Sequence, residues 1–366
     1  MPVLKAAMCV ALLCLCHDVL AQDHDAAMAG KARQKKIHTW WDERHPGEPL
    51  TSPLSRKLPL ISVRGNRFVD PDGNTVLFRG LSISDPDKIE SQGHWSKKHF
   101  SRVKETGARL VRIPVHPVAW RDRTPEHYLA LLDSAVGWCT ELGMYVIIDW
   151  HSIGNLKSGL FQDPMYNTSM AETFAFWRTI ARHFKGHNTV AFYELFNEPT
   201  LYFNQLGRMS WDEWKGLNED LISVIRAFDG EKIPLVAGFD WAYDLTPLRI
   251  NPVEAGGIAY VTHPYPHKRT LPWEPKWEED FGFAAERFPL IATEIGFTTG
   301  KGGIADNAAY GTAIVSYLEG RGISWVAWVF DPEWTPSMIN SWDTYTLTES
   351  GEFFKGAMQA EPHGHE

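Results

Sequence analysis

Two glutamates end apolar runs of the chain and could act together as an acid and a nucleophile. Glu198 lies in FYELFNEPT and Glu294 in PLIATEIGF. Pro199 cannot donate to a sheet, so we expect the first strand to end at Asn197-Glu198-Pro199. Glu198 alone could equally cap the next element. Two carboxylates at one rim, however, meet the requirement for glycoside hydrolysis, in which one protonates the leaving oxygen and the other attacks the anomeric carbon or activates water.

The elements that must position these carboxylates alternate between strand-like and helix-like stretches. Apolar, strand-like patterns occur in LFRGLSI, ARLVRIPV, MYVIIDW, TVAFYELF, IPLVAGF, GIAYVTH, PLIATEI and ISWVAWVF. Most connections between them have helical spacing, as in residues 125–142, which Gly143 stops. This alternation predicts an α/β fold, a (β/α)8 TIM barrel. A β-hairpin at residues 61–76, with its turn at Asp-Pro-Asp-Gly, is expected to close the barrel bottom.

The strand ends of such a barrel share one mouth, which is where barrel enzymes carry out their chemistry. Polar, ionisable and aromatic residues are concentrated there: Arg112, His116, Asp149, His151, Asn197, Glu198, His263, Tyr265, Glu294, Trp328 and Asp331. Arg112 could keep one carboxylate ionised through its charge and hydrogen bonds. Asn197 could bond a sugar hydroxyl, and Tyr265 could donate to the nucleophile.

The motifs along these strands resemble glycoside hydrolase family 5, the cellulase and mannanase group of the retaining (β/α)8 superfamily. In chain order they are Arg112 in LVRIPV, His151 in IDWH, Asn197-Glu198-Pro199, His263 and Tyr265 in THPY, Glu294 in ATEIGF, and Trp328 in WVAWVF. The resemblance covers roughly residues 60–328. It implies that Glu198 is the general acid/base and Glu294 the nucleophile.

The same resemblance implies supporting roles around the two glutamates. Arg112 and Tyr265 would steer Glu294, and Asn197 would bind the sugar's 2-hydroxyl. The remaining family positions would line the subsite of the cleaved sugar, with Trp328 as its floor and His151 and His263 at its sides.

Other residues could bind substrate or could simply pack. Asp331 and Trp334, in FDPEWTPSM after the last strand, either contact substrate or hold their loop. Five tryptophans are candidates for sugar stacking or for core packing: Trp120, Trp241, Trp273, Trp277 and Trp342.

Composition limits the class of protein. The 366 residues suffice for one large barrel or two ordinary domains, and the net charge of −9 argues against a nucleic-acid partner. Three of the four cysteines lie within the first 16 residues, so Cys139 has no disulfide partner after processing.

The amino terminus predicts export. Residues 1–21 have the charge, the short apolar core and the small-residue exit of a signal peptide, and that core is too short to span a membrane. Residues 22–58 are polar and aperiodic, which indicates a linker or arm. The catalytic domain is then expected at residues 59–360, in a secreted, extracellular or periplasmic monomer.

These observations predict a retaining endo-β-glycanase that needs no metal or other cofactor. β-1,4-Glucan is the first choice of polymer and mannan the second, while xyloglucan, xylan and β-1,3-glucan stay open. Two other classes compete with it. Asp149, His151 and His263 could form a metal site in a metal-dependent barrel hydrolase, or the barrel could bind carbohydrate without cleaving it.

Overall fold

The computed structural model describes residues 57–298 and 308–361. The predicted signal peptide and nearly all of the predicted arm lie outside the described residues. Where the description begins, Leu58 is buried, and its carbonyl accepts a hydrogen bond of 3.0 Å from Asn188 Nδ2. No helix in the described ranges is long and apolar enough to span a membrane.

The described residues form thirteen strands, numbered β1 to β13 in chain order, and eight of them close into a parallel barrel. The barrel strands follow one another around the barrel in chain order, and the last pairs with the first. They are β3 (Arg79–Ser82), β4 (Leu110–Val115), β5 (Tyr145–Trp150), β8 (Val190–Glu194), β10 (Ile233–Ala237), β11 (Ala259–Val261), β12 (Leu290–Ile295) and β13 (Ser324–Ala327). The predicted (β/α)8 barrel is therefore confirmed.

Helices occupy most of the connections and begin and end at recognisable signals. The helix Trp211–Phe228 starts with a capping box of Ser210 and Glu213, and Pro125–Leu142 stops at Gly143 in the left-handed region. The other α-helices are Pro86–Ser91, Lys97–Glu105, Pro117–Arg123, Met170–His183, Glu274–Asp280, Ala308–Gly320 and Glu349–Gln359. The segment Phe239–Ala242 is a left-handed turn, because Asp240, Trp241 and Ala242 have φ angles of 57°, 56° and 59°.

The hairpin below the barrel turns earlier than predicted. Strand β1 (Ser62–Arg64) pairs antiparallel with β2 (Arg67–Val69), so the tight turn is Gly65-Asn66, where Gly65 has a φ of 60°. A two-residue hairpin loop needs this positive φ, which glycine adopts without strain. The predicted Asp-Pro-Asp-Gly segment forms a second turn just after it.

Phe68 of this hairpin closes the barrel bottom. Its ring lies 6.1 Å from that of Phe78 and 5.1 Å from that of Phe192, both edge to face. These aromatic contacts join the hairpin to the apolar cluster that fills the lower barrel.

Side-chain alternation stacks a polar layer on this apolar one. The lower cluster includes a buried apolar side chain at the same level of each of six strands: Leu110, Ile147, Phe192, Val261, Ile291 and Val326. Because side chains alternate along a strand, the residue two positions further faces the same interior, nearer the mouth. Those residues are Arg112, Asp149, Glu194, His263, Thr293 and Trp328, and all of them are buried.

A buried ion pair ties the first barrel strand to the outer layer and yields a stability prediction. Arg79 Nε and Nη2 each lie 2.7 Å from an oxygen of Glu319, whose side chain is 1% exposed. Glu319→Ala leaves the buried Arg79 charge without its carboxylate partner, so we expect a loss of about 3–5 kcal/mol in the free energy of unfolding by denaturant.

Glu105→Ala is the matched control for this measurement. Its partner Arg102 is 43% exposed, and we expect a loss below about 1 kcal/mol. Equal losses for the two variants would contradict the account of the buried pair.

Candidate active site

A small second sheet positions Glu198. The barrel strand β8 ends at Glu194, and the chain then forms β9 (Glu198–Pro199), which pairs parallel with β6 (Ile153–Asn155). The Glu198 N–H donates to the Ser152 carbonyl at 3.1 Å, so the proline lies at a sheet edge and Glu198 is held by its backbone.

This sheet depends on one glycine. Strand β6 also pairs antiparallel with β7 (Leu160–Phe161) through Gly154, which has a φ of 152°. A Cβ there would lie 2.6 Å from the Leu160 carbonyl oxygen, so a side chain at this position would push β7 away.

The carboxyl groups of Glu198 and Glu294 face each other across a short gap. One oxygen of each, together with one ring nitrogen of His263, all lie within 4.8 Å of one another. Retaining glycosidases have carboxyl groups about 5–5.5 Å apart, and inverting ones about 6.5–9.5 Å. This closest approach of the two carboxyl groups agrees better with the shorter, retaining spacing.

A fully buried arginine organises this gap. Arg112 donates to both oxygens of Glu194 at 2.6 and 3.1 Å and to Glu294 Oε1 at 2.8 Å. Its Nη2 also donates to Asn197 Oδ1 at 2.6 Å and lies 3.0 Å from Asp149 Oδ2. Burial opposes the charge, yet the three surrounding carboxylates raise the pKa of the Arg112 guanidinium. This cation therefore joins strands β4, β5, β8 and β12.

Asn197 presents an unused donor to the cleft. Because Arg112 can only donate, the Asn197 carbonyl oxygen must face it, and the Nδ2 amide points elsewhere. That nitrogen is buried and has no hydrogen-bond partner among the described residues. A buried donor without a partner costs about 1–3 kcal/mol, which a ligand oxygen would recover.

Glu294 receives two hydrogen bonds that favour its ionised form. Arg112 donates to Oε1, and the Tyr265 hydroxyl donates to Oε2 at 2.8 Å. Burial, together with the charge of Glu198, raises the pKa of Glu294, and His263, Arg112 and the Tyr265 hydrogen bond offset only part of that rise. Burial and the two glutamates raise the pKa of Tyr265, so its phenol keeps the proton that it donates.

His263 connects Glu198 to the Arg112 network. Its Nδ1 lies 2.9 Å from Glu198 Oε1, and its Nε2 lies 2.9 Å from Thr293 Oγ1, which donates to Glu194 Oε1 at 2.8 Å. Burial opposes protonation, but the carboxylates of Glu294, Glu194 and Glu198 raise the pKa of His263 to about 9.

Stacked rings form one wall of the site. The ring of Trp328 lies 5.4 Å from that of His151, nearly parallel at 5°, and Trp334 stacks against Trp328 at 5.8 Å. His151 Nδ1 lies 2.6 Å from Asp149 Oδ2. Burial and neighbouring cations lower the pKa of His151, so this imidazole is neutral.

The cleft above these residues has a volume of about 710 Å³. Its lining contains six residues predicted from the sequence: His151, Asn197, Glu198, Tyr265, Glu294 and Trp328. It also contains residues that the sequence did not single out: Ile153, Gln162, Tyr166, Phe203, Asp240, His267, Lys268 and Thr335. These residues lie outside the barrel strands, in segments whose sequence carries no periodic signal of their position.

Three predicted binding residues lie behind the cleft lining. Arg112 and His263 are fully buried beneath the two glutamates. Asp331 is also fully buried; its Oδ2 accepts hydrogen bonds of 2.5 Å from Ser84 Oγ and Lys88 Nζ. Its Oδ1 accepts from two backbone N–H groups of its own loop, so Asp331 holds that loop in place.

The tryptophan candidates also differ in position, because some line the cleft and others lie in the core. Trp241 lines the cleft, whereas Trp120 and Trp277 are buried in the core. Trp334 does not line the cleft itself and instead supports Trp328 from the side.

Asp149, His151 and His263, the metal site weighed as an alternative, are not grouped as ion ligands in the described part of the chain. Within residues 57–298 and 308–361, the cluster that could hold an ion is Glu198, His263 and Glu294. Both ring nitrogens of His263 already have protein partners, Glu198 Oε1 and Thr293 Oγ1.

A parallel (β/α)8 barrel with two facing carboxylates at its carboxyl mouth defines the class of barrel glycoside hydrolases. Comparison with known proteins agrees: the family described as cellulase, glycosyl hydrolase family 5, matches residues 69–333. The chain belongs to this family.

Two relatives illustrate the similarity. The β-glucanase from Saccharophagus degradans, in complex with cellotetraose, is 45% identical with a TM-score of 0.83, covering 88% of this chain and 98% of that one. Endoglucanase E-5 from Thermobifida fusca is 25% identical over 335 residues, which cover 86% of this chain and 67% of the relative.

The buried imidazolium predicts a pH-dependent stability. Because the His263 pKa rises from 6.5 to about 9, its contribution of about 3 kcal/mol is fully present below pH 6.5 and is lost as the pH rises through 9. We therefore expect the difference in unfolding free energy between the wild type and His263→Gln to shrink across that interval. His127→Gln, the same replacement at an exposed position, is the control. A difference for His263→Gln that does not change with pH would contradict the assignment.

Proposed function

We propose that this chain is a secreted, retaining endo-β-glycanase that hydrolyses β-1,4-glucan. One observation carries the mechanism: the carboxyl groups of Glu198 and Glu294 face each other, and an oxygen of Glu198 lies within 4.8 Å of an oxygen of Glu294. The two carboxyl groups are bonded to different partners. The family membership and the endoglucanase and β-glucanase relatives support the reaction class.

In the first step Glu294 attacks the anomeric carbon while Glu198 protonates the leaving oxygen. Arg112 and Tyr265 each donate to Glu294, so its oxygens are oriented before the substrate arrives. The products are a covalent glycosyl-enzyme ester and the released sugar chain, which carries the proton from Glu198.

In the second step Glu198, now a carboxylate, takes a proton from water. That water attacks the anomeric carbon and displaces Glu294, so two inversions give overall retention. Glu198 regains its proton, and the enzyme returns to its starting state.

The lining of the cleft suits a glycan. The free amide N–H of Asn197 supplies a donor for the 2-hydroxyl of the cleaved sugar, and Trp328 supplies a flat apolar floor. A cleft of about 710 Å³ holds several sugar rings, which supports action on a polymer. β-1,4-Glucan is favoured over mannan because the complex of the 45% identical relative contains cellotetraose.

Separate substitutions of the two glutamates test their roles. We expect Glu294→Ala and Glu198→Ala each to lower turnover of soluble β-1,4-glucan by at least about 10³-fold. Azide should rescue both on 4-nitrophenyl β-cellobioside, giving the β-azide with Glu198→Ala and the α-azide with Glu294→Ala, because each vacated face admits the anion. Near-wild-type turnover by either variant would contradict the assignment.

Two controls accompany this test. Glu333→Ala, an exposed acid in the loop of Asp331, should leave turnover unchanged. Treatment with a chelator should also leave turnover unchanged, whereas a metal-dependent hydrolase would lose it. A panel of β-1,4-glucan, mannan, xylan and β-1,3-glucan then ranks the polymers.

The stereochemistry of the first product is a separate prediction. From the separation of the carboxyl groups, proton NMR of the reaction should show the β-anomer before mutarotation. Initial release of the α-anomer would mean that water, and not Glu294, attacks the sugar first.

A further inference from the structure

The hydroxyl of Thr293 occupies an unusual position between a histidine and a glutamate. It lies 2.9 Å from His263 Nε2 and donates to Glu194 Oε1 at 2.8 Å, and all three side chains are fully buried. Glu194 is itself bonded twice by Arg112, which keeps it ionised as an acceptor. Burial raises the pKa of Glu194, but Arg112 and His263 outweigh it, and the pKa is lowered.

A hydroxyl has a single proton, so this arrangement has a defined direction. Because Thr293 gives its proton to the carboxylate of Glu194, its oxygen can only accept from His263. His263 must therefore carry a proton on Nε2, both when it is neutral and when it is charged. In the neutral imidazole, Nδ1 is then a bare lone pair facing Glu198 Oε1 at 2.9 Å.

We infer that the Thr293 hydroxyl fixes which ring nitrogen of His263 carries the proton, and thereby extends to higher pH the range over which Glu198 can act as an acid. Thr293 is a positioning residue in this scheme, since it touches neither glutamate of the proposed catalytic pair by a hydrogen bond. The inference rests on the proposed function and adds a determinant of its pH range.

The physical reason is the repulsion between Glu198 and His263 once the proton that these two side chains share has been lost. With Nε2–H enforced, losing the last shared proton leaves the Glu198 carboxylate against the Nδ1 lone pair, which is unfavourable. One proton between Glu198 and Nδ1 removes this repulsion, whichever atom holds it. The pair returns to the same proton count after each turnover, because Glu198 gives one proton to the leaving oxygen and takes one from water.

Without the Thr293 hydroxyl the constraint disappears. The neutral imidazole can then move its proton to Nδ1 and donate to the Glu198 carboxylate, which stabilises the deprotonated pair. The link from Nε2–H to Glu194 through the hydroxyl is also lost, which leaves only the 3.6 Å approach of Nε2 to Glu194 Oε1 and weakens the imidazolium. Both effects make the shared proton easier to lose, so they shift the alkaline limb of activity in the same direction, to lower pH.

The other charged groups near His263 stay in place in this comparison. They are Glu198 on β9, Glu194 on β8, Glu294 on β12, Asp149 on β5, His151 after β5, and Arg112 on β4. A substitution at Thr293 changes no formal charge among them. A shift of the pH profile can therefore be assigned to the proton arrangement.

The test is the pH dependence of kcat/KM on soluble β-1,4-glucan. We expect the alkaline limb of Thr293→Val, and of the smaller Thr293→Ala, to lie about one pH unit below that of the wild type. Thr293→Ser keeps the hydroxyl and should restore the wild-type limb. Thr262→Val removes a buried hydroxyl on the neighbouring strand end, which donates to the Tyr243 carbonyl, and should not move the limb.

A second readout locates the proton directly. In protein labelled with 15N-histidine, at a pH above the alkaline limb, NMR should show the His263 proton on Nε2 in the wild type and on Nδ1 in Thr293→Val. A wild-type proton on Nδ1, or coincident alkaline limbs for the wild type, Thr293→Val and Thr293→Ala, would overturn the inference. Full turnover by Glu198→Gln would instead refute the proposed function, so the two failures are distinguishable.

Discussion

The whole site depends on one buried cation. The Arg112 guanidinium is removed from water and bonded to carboxylates from three other barrel strands, so its desolvation is offset only while all of them stay in place. Strand β4 thereby fixes Glu294 directly and, through Glu194 and Thr293, fixes the histidine that touches Glu198. The two candidate catalytic carboxyl groups are thus positioned by one rigid network.

This network follows from the barrel's alternation. In each contributing strand an apolar residue packs in the lower cluster, and the residue two positions later emerges into the polar layer. The apolar layer excludes water from below and strengthens the electrostatic interactions above it. The two candidate catalytic glutamates do not follow this period. Glu294 comes three residues after Ile291, where the pairing of β12 with β13 shifts register between Ala292 and Ile295, and the small sheet of β6, β7 and β9 holds Glu198 by its backbone.

Much of this arrangement could be predicted from the sequence. Apolar runs that end in polar residues predict the eight strands and their common mouth, and the period of two could also have located Glu194 and Thr293. Glu194 lies two residues after Phe192 within the FYELFNEP motif, but Glu198 is the only glutamate of that motif that was predicted to have a role. The position of Asp331 could not be read in this way, because its partners Ser84 and Lys88 are remote in the chain and meet only through barrel closure. The cleft residues outside the barrel strands were missed for the same reason.

Trapping the glycosyl-enzyme tests the central claim most directly. A 2-deoxy-2-fluoro-β-cellobiosyl fluoride slows hydrolysis of the ester, so mass spectrometry of the intact protein and of its peptides can locate the bound sugar. We predict loss of the anomeric fluoride and one 2-deoxy-2-fluorocellobiosyl group per chain, attached to the peptide that contains Glu294, and no label when Arg112 is replaced by Met. Attachment to any other residue, or inactivation without a covalent adduct, would contradict the account.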